Sequence, residues 1–319
     1  MSILAGNEPP RRVLLIINTK ARSGAEAYDA IRARLDAAGV EVRRAETETA
    51  EDIAPAIRDA AGSVDAVIIG GGDGTISRAG VALMETGLPL GILPLGTAND
   101  LVRTLRLPDD PEAALDVILA GRKRQIDLGT VNGHPFFNVA SLGLASDLAR
   151  ELSSGLKKRW GRLGYAMAAL RALSKARRFS AWITEGDSTT RTKTMQIAVG
   201  NGVFYGGGTK VASDAAIDDG HLDLYSLEVS DVLKLALMVR TFRTGEHGAW
   251  HEVRTARGSE FEIRTRKPKP VNVDGELITE TPIAVKVHPD AVTVYVADPE
   301  RDPDYRASGG SGMGTSGGS

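Results

Sequence analysis

The sequence predicts two domains, an α/β domain over residues 10–126 and a mainly β domain, a β-sandwich, over 127–298. Three observations carry that expectation. Up to about residue 126 short, nearly continuous apolar runs alternate with helix-patterned segments, which is how a parallel sheet covered on both faces reads. Beyond that point strand-like runs separated by turns dominate. In the first part, three loops at 18–24, 70–75 and 96–100 each follow an apolar run. In open parallel sheets ligands bind beyond the carboxyl ends of the strands, so three such loops on one edge form a candidate site.

The elements follow in order. Residues 13–17 (VLLII) read as a first strand, closed by NTKARSG. Residues 25–38 have helical spacing, with Ile31 and Leu35 on one face, and Gly39 ends them as a C′ glycine does. Residues 40–46 read as strand and 50–61 as helix. A buried strand in 64–75 (VDAVIIGGGDGT) runs straight into a glycine loop, and a helix follows at 77–86. Residues 88–100 (LPLGILPLGTAND) give a further strand and loop, then helices at 99–105 and 111–120. The second part is strand-rich, interrupted by helices at 161–176 and 230–243, and the Gly/Ser-rich 306–319 reads as a disordered tail.

Bulk properties narrow the class. With 319 residues the chain is long enough for two ordinary domains. The absence of cysteine excludes disulfides, thiolate metal sites and a cysteine nucleophile. The five apolar residues before Asn18 are too few for a signal-peptide core, and no run of about 18 apolar residues is present to span a membrane. A cytoplasmic protein is expected. The net charge of −2 gives no support to nucleic-acid binding.

The segment 70–75, GGGDGT, is the most informative. It is neither a P-loop, which needs G-x-x-x-x-G-K-[ST], nor a dinucleotide fingerprint in its usual place. Its glycines let successive backbone N–H groups approach a phosphate closely. An acidic Asp73 inside such a nest makes sense beside Mg²⁺ or a basic side chain. Read as residues alone, Asn99 or Asp100 could cap the next helix, 218–223 (DDGHLD) could be a solvated turn, and Asp274-Gly275 could close a hairpin.

GGGDGT together with 89–105 (LPLGTANDLVRTL in its core), 127–144 (DLGTVNGHPFFNVASLGL), 199–228 and 271–276 (VNVDGE) resembles the catalytic domain of the diacylglycerol kinase family, closest to its bacterial soluble lipid kinases. GGDGT is shared with NAD kinases; LGTANDL, DDGHLDL and the terminal DGE point to the lipid branch. The resemblance spans roughly residues 12–298 and implies a nucleotide-binding α/β domain, a β-sandwich domain, and a cleft between them. It also implies that the chain end returns to the first domain.

Carried over residue by residue, the resemblance places ATP against Asn18, Lys20, Ser23 and Gly24, against Gly71, Gly72, Asp73, Gly74 and Thr75, and against Gly96, Thr97 and Asn99. Relatives read Asn-Pro-x-Ser-Gly in the first loop whereas this chain has Thr19 and extra residues, so Lys20 and Arg22 both stay open as the phosphate contact. Thr47 matches a nucleotide-contacting threonine, or is a plain strand-end residue. Mg²⁺ is implied at Asp219 and at the carbonyls of Ala216 and His221. Glu276 is implied as the proton acceptor, with Asp274 assisting and Asp73 placing phosphate and metal. The expected activity is transfer of the ATP γ-phosphate to a diacylglycerol-like lipid. The basic 157–162 and Arg171, Lys175, Arg177 and Arg178, with Trp160, suggest contact with an anionic membrane surface. Relatives include homodimers. The alternatives are an NAD kinase-like or other small-molecule kinase, and a non-catalytic lipid- or nucleotide-binding protein.

Overall fold

The computed structural model describes residues 8–17, 22–45, 47–144, 146, 177–205, 209–210, 216–229 and 253–298. In the first domain β1 (Arg12–Ile17), β2 (Glu41–Arg44), β3 (Ala66–Gly71) and β4 (Leu90–Pro94) run parallel in the order β2-β1-β3-β4. The helices are α1 (Arg22–Ala37), α2 (Ile53–Ala60), α3 (Asp73–Ser77), α4 (Gly80–Thr86), α5 (Asp100–Thr104) and α6 (Pro111–Leu119). Successive strand side chains point to opposite faces, so each apolar run serves two cores. Leu14, Ile16, Val67 and Ile69 pack with Ile53, Ile57 and Leu83. Val13, Leu15, Ala66 and Ile68 pack with Tyr28, Ile31 and Leu35 of α1 and Leu115 and Ile118 of α6. That double burial is why the strands read as unbroken hydrophobic runs.

Two local features differ from the sequence expectation. Helix α1 begins at Arg22, which draws Ser23 and Gly24 out of the expected loop and into its first turn. In place of one helix at 77–86, α3 starts earlier, at Asp73 inside the expected loop, and α4 follows from Gly80 after a break at Arg78 and Ala79. The break brings Gly80 against the second domain, where an added Cβ would lie 2.9 Å from Pro135 and 3.0 Å from Leu128.

The remaining strands are β5 (Lys123–Val131), β6 (His134–Phe136), β7 (Val139–Gly143), β8 (Phe179–Glu185), β9 (Ser188–Thr194), β10 (Gln196–Gly200), β11 (Phe204–Tyr205), β12 (Thr209–Lys210), β13 (Leu222–Leu227), β14 (Val253–Gly258), β15 (Glu260–Thr265), β16 (Pro270–Val273), β17 (Glu276–Glu280) and β18 (Ile283–Tyr295). One sheet is continuous across both domains, in the order β2-β1-β3-β4-β18-β15-β8-β9. The long β18 does the joining. Its Val294 pairs parallel with Leu90 of β4, while residues 283–286 pair antiparallel with β15 and β5 runs along most of its length. A second sheet, β14-β13-β10-β7-β16-β17, lies over the far part of the first. Phe136, Ala140, Leu142, Ile197, Leu224 and Val271 fill the sandwich with Ile183, Phe261, Ile263 and Val285. The helices expected at 161–176 and 230–243, and the tail, lie outside the described residues. Among the described residues no helix is long and apolar enough to cross a membrane.

The packing of α6 on the sheet can be tested at Gly91, where an added Cβ would lie 2.6 Å from Ile118 Cδ1. Gly91→Ala is expected to lower stability in urea unfolding by about 1–3 kcal/mol, the usual cost of overpacking. In an Ile118→Ala background the same change should cost much less, because the obstructing methyl group is gone.

Candidate active site

Strands β3 and β4 end side by side, with Gly71 opposite Pro94, so their following loops meet. The contact is close enough to require two glycines. A Cβ on Gly72 would lie 3.2 Å from Gly96 Cα, and one on Gly96 would lie 2.5 Å from Asn99 Oδ1. Helix α3 starts directly on the loop, with the Thr75 and Ile76 N–H groups donating to Gly72 O at 2.9 and 3.1 Å. Thr75 packs against Gly71. Thr97 is exposed at the tip of the second loop, and Asn99 takes a left-handed backbone, φ 51°, that turns the chain into α5.

Asp73 stitches these loops to the second domain. Its Oδ2 accepts from the Asp100 N–H at 3.1 Å, and its Oδ1 accepts from the Leu101 N–H at 2.9 Å and from Asn138 Nδ2 at 3.1 Å. With both oxygens so engaged, Asp73 holds the two loops in register. These bonds give Asp73 a bracing role beside the expected one of placing phosphate and metal. Arg103 pairs with the buried Asp100 at 3.2 Å on the same side.

The DGE segment forms the opposite wall. β16 and β17 are joined through Asp274 and Gly275, whose φ values of 44° and 97° are those of a tight type I′ hairpin. Asp274 is buried and points inward. It accepts from Ser77 Oγ at 2.5 Å and from the N–H groups of Phe137, Asn138 and Val139 at 2.8, 3.1 and 2.9 Å. Burial pushes its carboxyl up to about 6, against the lowering effect of Ser77, Val139 and Phe137; nearby Asp73 adds to the rise. Asp274, expected to assist beside Glu276, is a buried positioning group that holds the hairpin carrying Glu276. Glu276 faces the glycine loop instead. Its Oε1 lies 3.0 Å from where a Cβ on Gly74 would stand, and its Oε2 accepts from Arg78 Nη2 at 2.6 Å. Arg78 Nη1 reaches Glu51 at 3.2 Å.

The other expected residues are more dispersed. Asn18 and Lys20 lie outside the described residues, and Ser23 and Gly24 are placed only as backbone of α1. Thr47 stands beyond β2, two residues before the turn in which Asp52 accepts from the Thr49 N–H and hydroxyl. Its neighbour Glu51 is the residue that reaches the site, through Arg78. Trp160 and the basic residues of 157–176 also lie outside the described residues; Arg178 is tied to Lys193 O at 2.7 Å.

Ala216, Asp219 and His221 share one turn, directly before β13. Asp219 Oδ1 accepts from the His221 N–H at 2.9 Å, and its Oδ2 receives the guanidinium of Arg257. Arg124 holds Asp218 at 2.5 Å. Beneath them the buried Asp127 accepts from the Gly220 and Asp290 N–H groups at 2.7 and 2.9 Å, and burial pushes its carboxyl up. No group of three or more His, Asp or Glu side chains suited to a metal ion occurs among the described residues. The Mg²⁺ expected here would take the Asp219 carboxylate and the carbonyls of Ala216 and His221; in the arrangement described, Arg257 pairs with that carboxylate.

Sequence reasoning missed Ser77, Arg78 and Asn138. Asn138 lies inside a segment that carries the family resemblance, but neither spacing nor composition marks it as the partner of Asp73. Ser77 and Arg78 follow the glycine loop as ordinary helix residues.

Two outcomes follow from this geometry. A folded-state pKa near 6 for Asp274 lies above the ordinary value of 3.8, so the folded protein holds a proton that the unfolded chain releases between those pH values. The contribution is favourable below about pH 4 and is lost as pH rises to about 6. Asp274→Asn, which does not titrate, should remove that component from urea stability measured across pH 4 to 7. In thermal melts, Arg257→Ala, in which the Asp219 carboxylate is released, should gain more in midpoint from Mg²⁺ without nucleotide than the native chain does.

The chain matches two family models in succession, the diacylglycerol kinase catalytic domain over residues 12–131 and the YegS C-terminal NAD kinase beta sandwich-like domain over 138–296. It is 31% identical over 288 residues to the Pseudomonas aeruginosa (strain UCBPP-PA14) protein named "Probable lipid kinase YegS-like", covering 89% of this chain and 94% of that one. It is 30% identical over 247 residues to the diacylglycerol kinase of Bacillus subtilis (strain 168), covering 76% and 82%. A solved structure described as a "putative diacylglycerol kinase" from Bacillus anthracis str. Sterne superposes with a TM-score of 0.76 at 25% identity, covering 92% of this chain and 97% of that one. These matches span both domains and the cleft between them: the chain belongs to the diacylglycerol kinase catalytic-domain family of lipid kinases.

Proposed function

We propose that the chain transfers the γ-phosphate of ATP to a hydroxyl of a diacylglycerol-like lipid, forming phosphatidic acid when the acceptor is diacylglycerol. The observation that carries this reading is the Glu276 carboxylate standing over Gly74 of a phosphate-binding type of loop, with one oxygen left towards the cleft. The cradle has the right chemistry. Gly71, Gly72 and Gly96 let the two loops and Thr75 close up without side chains between them, Gly74 sets its backbone against the Glu276 carboxylate, and Asn99 Oδ1 is buried without a partner. ATP enters with Mg²⁺ as part of the substrate, and that ion neutralises phosphate charge.

In this mechanism the glycine-loop N–H groups hold the phosphates, while Asp73 keeps the two loops aligned. Glu276 Oε1 takes the proton of the lipid hydroxyl as its oxygen bonds to the γ-phosphorus. The bond from that phosphorus to the bridging oxygen breaks, and ADP leaves with the electron pair. Asp274 holds the hairpin that carries Glu276. The lipid approaches from the sandwich side of the cleft, with the protein at an anionic membrane surface.

The test is transfer of labelled γ-phosphate from ATP, with Mg²⁺, to a detergent-dispersed lipid panel and to NAD. The native chain should label a lipid. Glu276→Gln should lower the rate by about 10²–10⁴-fold, the range for loss of a general base. Asp73→Ala should abolish transfer by letting the loops separate. Labelled NAD with no labelled lipid would overturn the acceptor class, and ATP binding without transfer to any acceptor would point to a binding protein.

A further inference from the structure

The pairing of Arg78 with Glu276 is more than a surface ion pair. Arg78 is the residue at the break between α3 and α4, and its chain neighbours on both sides are fixed. Ser77 is buried and bonded to Asp274, and Ala79 is fully buried in the first-domain core. The DGE hairpin is therefore docked on this break by two adjacent rungs. The inner rung is Ser77 to Asp274 at 2.5 Å, and the outer is Arg78 to Glu276 at 2.6 Å.

The two rungs act on different things. Asp274 fixes the hairpin backbone. Glu276 has its own rotatable side chain, 44% exposed, and the backbone alone does not decide where its carboxylate points. Arg78 does. It engages Oε2 and leaves Oε1 beside Gly74, the side on which a phosphoryl group would lie. A second arm to Glu51 at 3.2 Å steadies the guanidinium from the first domain. Formation of that outer rung requires the two domains to be in register, since Arg78 belongs to one and Glu276 to the other.

We propose that Arg78 is a positioning residue for phosphoryl transfer: it holds one oxygen of Glu276 so that the other meets the acceptor hydroxyl, and it does not itself bind the nucleotide. This rests on the lipid-kinase reading and adds a residue to it. Misplacement of a reacting group by about 1 Å can cost about 10²-fold in rate, which sets the scale of the effect.

The experiment uses the full chain and the lipid that the native protein labels. It compares Arg78→Ala, Arg78→Gln, Arg78→Lys, Glu276→Gln and the Arg78→Ala/Glu276→Gln double variant, with urea midpoints measured for each. Arg78→Ala and Arg78→Gln are expected to lower kcat by about 10–100-fold with KM for ATP within about twofold of native. Arg78→Lys, which retains one charged donor, should recover part of the loss. In the Glu276→Gln background Arg78→Ala should cost less than about twofold more, because it acts through a carboxylate already removed. A native kcat in both Arg78→Ala and Arg78→Gln would overturn the inference. So would a raised KM for ATP at unchanged kcat, which marks a phosphate ligand, or a full independent loss in the double variant. A loss of kcat matched by a collapse of the urea midpoint in all three Arg78 variants would assign the residue to folding instead. No transfer by the native chain would overturn the lipid-kinase reading and this inference with it.

Discussion

The buried Asp274 carboxylate accepts hydrogen bonds from Ser77 and from the backbone at 137–139, so segments as much as 197 residues apart converge on one side chain. A carboxylate removed from water is costly unless donors replace the lost solvation. Here a hydroxyl and three backbone N–H groups do so, and all four come from segments that must already be folded. The hairpin cannot find this arrangement by itself. Its left-handed Asp274 turns the carboxylate inward while Glu276, two residues on, is left at the cleft.

Around that point the two domains behave as parts of one framework. β18 continues the parallel sheet of the first domain into the sandwich of the second, and β5 follows it antiparallel. Hydrogen-bonded backbone is consequently common to both domains. Asn138 then reaches across to Asp73, and Arg78 to Glu276, each linking a residue of one domain to one of the other. The glycine loops are aligned in the same way. Close approach of Gly72 and Gly96 is possible only without side chains, and Asp73 holds the loops once they meet.

Charge is balanced differently in the two acidic regions. At the cleft, Glu276 shares one oxygen with Arg78 and keeps the other available. In the turn at 216–221, Arg257 and Arg124 neutralise Asp219 and Asp218 directly. A run of aspartates in a sequence shows only that cations are needed nearby. Whether they are metal ions or arginines depends on which strands lie alongside, and here β14 brings Arg257 opposite Asp223.

The sequence by itself determined the layering. Apolar runs such as 13–17 and 66–69 require burial on both faces, and a parallel sheet between helices is the arrangement that provides it. It also determined the glycine loops and the Asp274-Gly275 turn, because positive φ and close backbone approach restrict residue type locally. Only the tertiary structure decided which carboxylates face the cleft and which are consumed in holding it. Asp73, Asp219, Asp274 and Glu276 are chemically alike along the chain. Their roles separate only when Asn138, Arg257, Ser77 and Arg78 arrive from distant segments as their donors. Such pairings leave no periodicity or spacing in the sequence, since each depends on contacts across strands and domains and not on neighbours along the chain.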